Sequence, residues 1–319
     1  MEKISVDYTV CTECGKCVKI CPNNALGFED KKPVLLNEAG CTECGICEDQ
    51  CPVSAITLNT RTIPDEEIVK KAGGVRFTET SDLLKDLLGM DNEPVGLKLV
   101  GPDDEIEENF NTFGSPTRHC VSIHMASLGA PLYISASNHA CAAGKSSLGM
   151  GPLPEKVASG QMPYMHGLAS SPESAARVMA EVPRLPEGSS IGSLVGPLDS
   201  FESEPDVIVL VVSPKLAMWV ANSLIYEKGT PRLTANFAGM QASCADATTL
   251  PIKTGDVNFT VGCYGCRSAG KLEDDQMYVG IPFSKLGKVA EGLKGLRRAM
   301  GNLEDASVRE KESGKGCGV

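Results

Sequence analysis

Cys11-Thr-Glu-Cys14-Gly-Lys-Cys17-Val-Lys-Ile-Cys21-Pro22 and, thirty residues on, Cys41-Thr-Glu-Cys44-Gly-Ile-Cys47-Glu-Asp-Gln-Cys51-Pro52 decide how this chain is read. Both carry the spacing C-x2-C-x2-C-x3-C-P. Three thiolates at that spacing can wrap one face of an iron–sulfur cubane, while the fourth, aimed away by its own turn and the proline after it, reaches another cluster. Structural zinc also uses C-x2-C pairs, but it closes with four ligands and needs no third cysteine two residues after the second. A disulfide framework suits a small secreted domain. Met1-Glu2-Lys3-Ile4 shows no basic stretch leading into an apolar segment, so no secretory signal is expected.

Over residues 1–60 this pattern resembles the 2[4Fe-4S] ferredoxin family. The resemblance implies an α+β ferredoxin-like two-cluster module, with Cys11, Cys14, Cys17 and Cys51 on one [4Fe-4S] cluster and Cys41, Cys44, Cys47 and Cys21 on the other. The repeat extends beyond the cysteines. Ile4-Ser5-Val6 leads into the first motif as Val34-Leu35-Leu36 leads into the second. Ala25 to Phe28 and Ala55 to Leu58 follow them as short strands, with helical turns after Cys17 and Cys47. Sixty residues build little core alone, and clusters act as the staples.

The full chain of 319 residues exceeds one typical domain, and its hydrophobic content of 42% supports a second, larger core. The longest apolar run, Val207 to Val212, is strand-sized, so no membrane insertion is expected. Fourteen cysteines without an export signal point to metal and redox work in a reducing cytoplasm. Clusters of this exposed type further imply an anaerobic host. The net charge of −11 argues against nucleic acid and anionic membrane as partners. It suits docking to a basic patch on a redox partner protein. The basic stretch Lys285 to Arg298 is spread along one expected helix and reads as a solvated face.

Composition turns charged and glycine-containing between Asn59 and Thr80, which sets residues 61–80 as a linker, with a short helix opened by Pro64-Asp65-Glu66-Glu67. Residues 81–300 then alternate strands with helices, the pattern of a larger α/β domain with a mixed sheet. Expected strands include Val95 to Val100, Leu132 to Ser135, Ile191 to Val195, Asp206 to Val212, Val257 to Val261 and Gln276 to Ile281. Expected helices include one capped by Ser81, Arg118 to Leu128, one from Ser137 or Asn138 to Leu148, one opened by Ser171-Pro172 and another by Pro214. Gln241 to Leu250 and Phe283 to Met300 complete them. Residues 301–319 read as a polar, flexible tail.

This larger region resembles, over about residues 81–295, the uncharacterised domain-of-unknown-function family 169. The residues that carry the likeness are Glu93 to Lys98, Arg118-His119-Cys120, Cys141-Ala-Ala-Gly144, Gln241 to Asp246, Gly262-Cys263-Tyr264-Gly265-Cys266-Arg267, and Asp274-Asp275 leading to Gly280-Ile281-Pro282. The family has no established reaction, and its members commonly lack a ferredoxin module. Fusion to one here implies that the second domain uses electrons.

Five cysteines lie in this domain: Cys120, Cys141, Cys244, Cys263 and Cys266. Gly262 and Gly265 let backbone amides approach the Cys263-x-x-Cys266 sulfurs, a geometry that serves a metal, an iron–sulfur cluster or a redox dithiol equally well. Cys141 and Cys244 fall near expected helix starts, where free amides stabilise a thiolate, and Lys145 would share a helix face with Cys141. The sharpest hypothesis is a third [4Fe-4S] cluster or metal site at Cys141, Cys244, Cys263 and Cys266, with Cys120 nearby or substituting. The same four are the candidate catalytic residues. Lone cysteines otherwise behave as small buried hydrophobes. Cys317, between glycines on the tail, reads either as a carrier thiol on a leash or as an incidental terminal cysteine.

Other signals carry less. Cys141 to Ser146 has the context of a phosphate-binding loop, but His139 stands where that motif needs glycine. His119, His124, His139 and His166 show no metal-ligand spacing, and no serine-hydrolase motif occurs. The chain reads as an oxidoreductase-type iron–sulfur protein whose N-terminal module exchanges electrons with a cysteine-based centre, for thiol or sulfur redox chemistry. The alternative is a non-catalytic electron-transfer or assembly subunit of a larger anaerobic complex.

Overall fold

A computed structural model describes residues 3–59, 77–226 and 233–301. The linker helix expected after Pro64 and the tail with Cys317 lie outside the described residues. The N-terminal module runs β1 (Ile4–Val6), α1 (Lys16–Ile20), β2 (Leu26–Glu29), β3 (Lys32–Leu35), α2 (Ile46–Asp49) and β4 (Ile56–Leu58). The sequence repeat becomes structure here, because β1 pairs antiparallel with β4 and β2 with β3. Its small core gathers Ile4, Cys17, Leu26 and Ile56, so a cysteine replaces what would be an aliphatic side chain in a larger domain.

In the larger domain α3 (Thr78–Leu88) precedes β5 (Val95–Val100), β6 (Asn111–Thr112), α4 (His119–Ser127) and β7 (Leu132–Ser135). Four helices follow: α5 (Ala142–Ser147), α6 (Glu155–Ala158), α7 (Gln161–Met165) and α8 (Pro172–Glu181). The chain continues with β8 (Gly192–Pro197), β9 (Val207–Val212), α9 (Pro214–Tyr226) and a π-helical segment, Ala242–Thr249. It ends in α10 (Leu250–Thr254), β10 (Asn258–Thr260), α11 (Tyr264–Ser268), β11 (Met277–Pro282) and α12 (Phe283–Met300).

Seven strands form one mixed sheet in the order β10-β11-β9-β5-β8-β7-β6, with β6–β7 its parallel pair and the others antiparallel. Side chains alternate across the pleat. In β9, Ile208, Leu210 and Val212 enter one core with α3, α9 and α12, while Val207 and Val209 enter another with α4 and the π-helical segment. Burial on both faces is what an uninterrupted apolar run permits. Cys120, Cys266 and Tyr278 lie in the second core. That face carries the candidate site.

Three boundaries depart from expectation. Ser81 lies inside α3, fully buried, because the helix begins three residues earlier at Thr78. Neither Ser137 nor Asn138 caps α5; Cys141 does, its sulfur accepting the Gly144 N–H at 3.4 Å. Within the helix expected from Gln241 to Leu250, Ala242–Thr249 is π-wound rather than α-helical. It lies tight on the sheet, where a Cβ at Gly280 would stand 2.1 Å from the Ala247 carbonyl oxygen. No helix among the described residues is long and apolar enough to cross a membrane.

Candidate redox centre at the domain junction

The module's eight cysteines surround two cavities. Cys11, Cys14, Cys17 and Cys51 line one, and Cys21, Cys41, Cys44 and Cys47 line the other. Glu13, Gly15, Glu43 and Gly45 have left-handed backbones (φ 54°, 69°, 53° and 74°), which turn successive sulfurs around each void. Amides point at the remote sulfurs: Ala25 N–H donates to Cys21 Sγ and Ala55 N–H to Cys51 Sγ, both at 3.2 Å. Four thiols with amide donors around a void suit a cubane in number and chemistry. Burial raises the thiols of Cys17, Cys41, Cys44 and Cys47. It pushes Cys44 up to about 11 and, with neighbouring cysteines, Cys47 up to about 12. Iron would supply the missing positive charge.

The second cavity abuts the larger domain. Thr42 Oγ1 donates to the Ala140 carbonyl at 3.0 Å, and Lys156 Nζ donates to the Cys21 carbonyl at 3.0 Å. Arg118 Nε donates to the Cys44 carbonyl at 2.6 Å; Nη2 contacts the same oxygen and pairs with Asp49 at 3.1 Å. Gly45 leaves room for this guanidinium, since a Cβ there would stand 2.5 Å from Nη2. Arg118 belonged to a motif in the sequence, yet nothing there announced a partner 74 residues away.

Beneath Arg118 lies a cavity of about 150 Å³, and Cys44 shares its wall with Cys120, Cys141, Cys244 and Cys263. The fold thus gathers the five sequence-predicted cysteines from four separate places. Cys120 comes from α4, Cys141 from the cap of α5, Cys244 from the π-helical segment, and Cys263 and Cys266 from the start of α11. Departures from α-winding are frequent at functional sites. Gly144 sits close to both sulfurs, since a Cβ there would press on Cys244 Sγ at 3.2 Å and touch Cys141 Sγ at 3.5 Å. Cys263 and Cys266 sulfurs meet at 3.4 Å, and Cys120 Sγ donates to the Gly265 carbonyl at 3.4 Å.

The expected stabilised thiolates at Cys141 and Cys244 are not what this environment favours. Burial raises Cys141 despite the Gly144 amide and Arg118, which, rather than Lys145, is the cation acting on it. Burial and the neighbouring thiols push Cys244 well up. Cys263 rises chiefly through its bond to Cys266, and Cys266 rises to about 11 chiefly through its bond to Cys120. Cys141, Cys244 and Cys263, with raised pKa values like those of the module's Cys44 and Cys47, therefore line an apolar hollow as neutral thiols. Among the described residues, no group of three or more His, Cys, Asp or Glu is gathered as a single metal ion requires.

His119 and His139 are buried and stacked, ring centroids 5.8 Å apart, and burial keeps both neutral, His139 down to about 4. His119 Nε2 meets Thr248 Oγ1 at 3.2 Å and lines the cavity, as does His166. The stacked pair sits in the protein interior.

Comparison with known proteins agrees with this architecture. A family model described as a 4Fe-4S dicluster domain matches residues 10–55, and one described as "Uncharacterised ArCR", domain of unknown function 169, matches residues 83–292. The chain belongs to that uncharacterised family and carries an iron–sulfur module fused ahead of it. It is 30% identical over 223 residues to an uncharacterized protein, MJ0308, of Methanocaldococcus jannaschii, spanning 69% of this chain and 94% of that one. No solved structure matches.

Proposed function

We propose that this chain is an iron–sulfur redox protein in which electrons pass between the N-terminal module and the cysteine pocket of the larger domain. Bound clusters would supply one-electron carriers; the chain's residues set their order and their insulation. Cys11, Cys14, Cys17 and Cys51 would hold the outer cluster, where Cys14 is exposed to a partner. Cys21, Cys41, Cys44 and Cys47 would hold the inner one.

The observation that carries this reading is the shared wall. Cys44 lines both the inner four-cysteine cavity and the hollow containing Cys120, Cys141, Cys244 and Cys263. Arg118 reinforces it, clamped to the Cys44 carbonyl and Asp49. Its positive charge favours added electrons on either side, and burial excludes water that would dissipate the field. Nothing in a purely structural metal site calls for that adjacency.

The test loads the full chain anaerobically, oxidises its pocket thiols, and adds dithionite in small steps. The reading expects the pocket to take up electrons, counted as alkylatable thiols, before the cluster electron-paramagnetic-resonance signals reach full amplitude. Clusters that become fully reduced while the pocket thiols stay oxidised would overturn it.

A further inference from the structure

The same C-x-x-C spacing adopts two different backbones in this chain. Between Cys11 and Cys14, and between Cys41 and Cys44, a left-handed glutamate separates the sulfurs around a void. Between Cys263 and Cys266, Tyr264 and Gly265 lie in the right-handed turn of α11, closed by Cys266 N–H donating to the Cys263 carbonyl at 3.0 Å. Residues three apart on such a turn share a face, so the two sulfurs touch at 3.4 Å with nothing between them. Tetrahedral zinc with bonds of about 2.3 Å would hold two thiolates about 3.8 Å apart. A closed disulfide needs about 2.05 Å, reached by small side-chain rotations.

The pair also has a front and a back. Cys263 lines the hollow, whereas Cys266 is 0% exposed, with Cys120 and the Tyr278 hydroxyl against its sulfur. The hollow's about 150 Å³ compares with an apolar cavity that accepts benzene. Met162, Met179 and Met240 add soft, polarizable thioethers to its wall. Its Arg118 and Asp49 pair with each other at 3.1 Å, so together they present no net charge to a substrate.

We propose that Cys263 and Cys266 form a redox dithiol that reduces a small, uncharged disulfide held in this hollow; the proposal rests on the electron path from the N-terminal module. Cys263 sulfur attacks one substrate sulfur, the substrate S–S bond breaks, and the first thiol leaves with the Cys263 proton. Cys266 sulfur then attacks Cys263 sulfur in the mixed disulfide, releasing the second thiol with the Cys266 proton. A Cys263–Cys266 disulfide remains. Two electrons delivered singly through the module, with two protons from solvent, restore both thiols.

The test uses the full chain with its clusters, and dimethyl disulfide as the probe. Wild type is expected to release two methanethiols per chain and to show a Cys263–Cys266 cross-link by peptide mass mapping. Cys266→Ser and Cys266→Ala should stop after one, with a methylthio adduct on Cys263; unchanged cluster resonance signals verify that the variants are folded. Cys263→Ser should release none. Stepwise dithionite should then return both wild-type thiols. Adducts confined to other cysteines, or no methanethiol from folded holoprotein, overturn the dithiol. Iron beyond about eight per chain that is lost in Cys263→Ser would assign a third cluster instead and likewise overturn it. A cross-link that forms but is never reduced through the clusters overturns the electron path, and with it the catalytic cycle.

Discussion

Replacing Arg118 with methionine keeps most of its apolar stem and removes the contact that locks the module to the pocket. Arg118 donates to the Cys44 carbonyl at 2.6 Å and pairs with Asp49 at 3.1 Å, with side chains 13% and 26% exposed. A hydrogen bond from a charged donor contributes about 1.5–3 kcal/mol, and breaking a buried pair costs about 3–5. Asp49 still meets solvent, so its loss of a partner is partly screened and the lower end applies. A cost of about 3 kcal/mol corresponds to on the order of a hundredfold more frequent opening of the junction. Amide hydrogen exchange on the holoprotein reads this directly. Protection should fall about that much at Cys44 to Gln50 and stay unchanged in β9 and β11. Arg118→Lys, which keeps the charge but loses the fork, should lie between. Unchanged exchange at Cys44 to Gln50 in Arg118→Met would refute the clamp.

Three further outcomes follow from the same geometry. Asp246 is buried, its carboxyl raised to about 7 by burial against one bond from Thr260. It therefore holds a proton in the folded state that the unfolded chain releases near pH 4. Stability should fall as pH rises from about 4 to 7 and then level off; denaturant titrations of Asp246→Asn should show that slope flattened. Gly280→Ala would drive a Cβ into the Ala247 carbonyl. It should cost about 3 kcal/mol or more and lower the thermal midpoint, whereas alanine at exposed Gly287, with open space around it, should not. Because Cys263 and Cys266 are raised, both are neutral thiols at pH 7. Iodoacetamide labelling of Cys263, followed by mass spectrometry, should accelerate with each step in pH past 9; a plateau below pH 8 would contradict that environment.

Much of this was readable from residues. Val207 to Val212 had to be buried on both faces because it has no polar position to turn outward. The eight module cysteines, spaced to wrap cubanes, stand around two cavities in the sets that the ferredoxin resemblance implied. The five later cysteines do converge. What escaped reading is what depends on tertiary fit. Ser81, Ser137 and Asn138 have side chains suited to capping, but capping requires an unpaired helix start, and the chain puts those starts elsewhere. Ala242–Thr249 is π-wound where it packs onto Gly280, and no propensity distinguishes it from α. Nor does sequence spacing reveal that burial outweighs amide donors at Cys141, or that Arg118 reaches the Cys44 carbonyl. The two backbones of C-x-x-C were equally hidden. Left-handed Glu13 and Glu43 are non-glycine residues, where a left-handed backbone is uncommon.

The claim on which everything rests is that the module and the pocket exchange electrons within one chain. Flash photoreduction of the clusters in holoprotein with an oxidised pocket tests it directly. The account predicts that cluster absorbance bleaches and then recovers at a rate independent of protein concentration, with pocket thiols appearing in step. Bleaching that persists, or recovers only at a rate proportional to concentration, would contradict it.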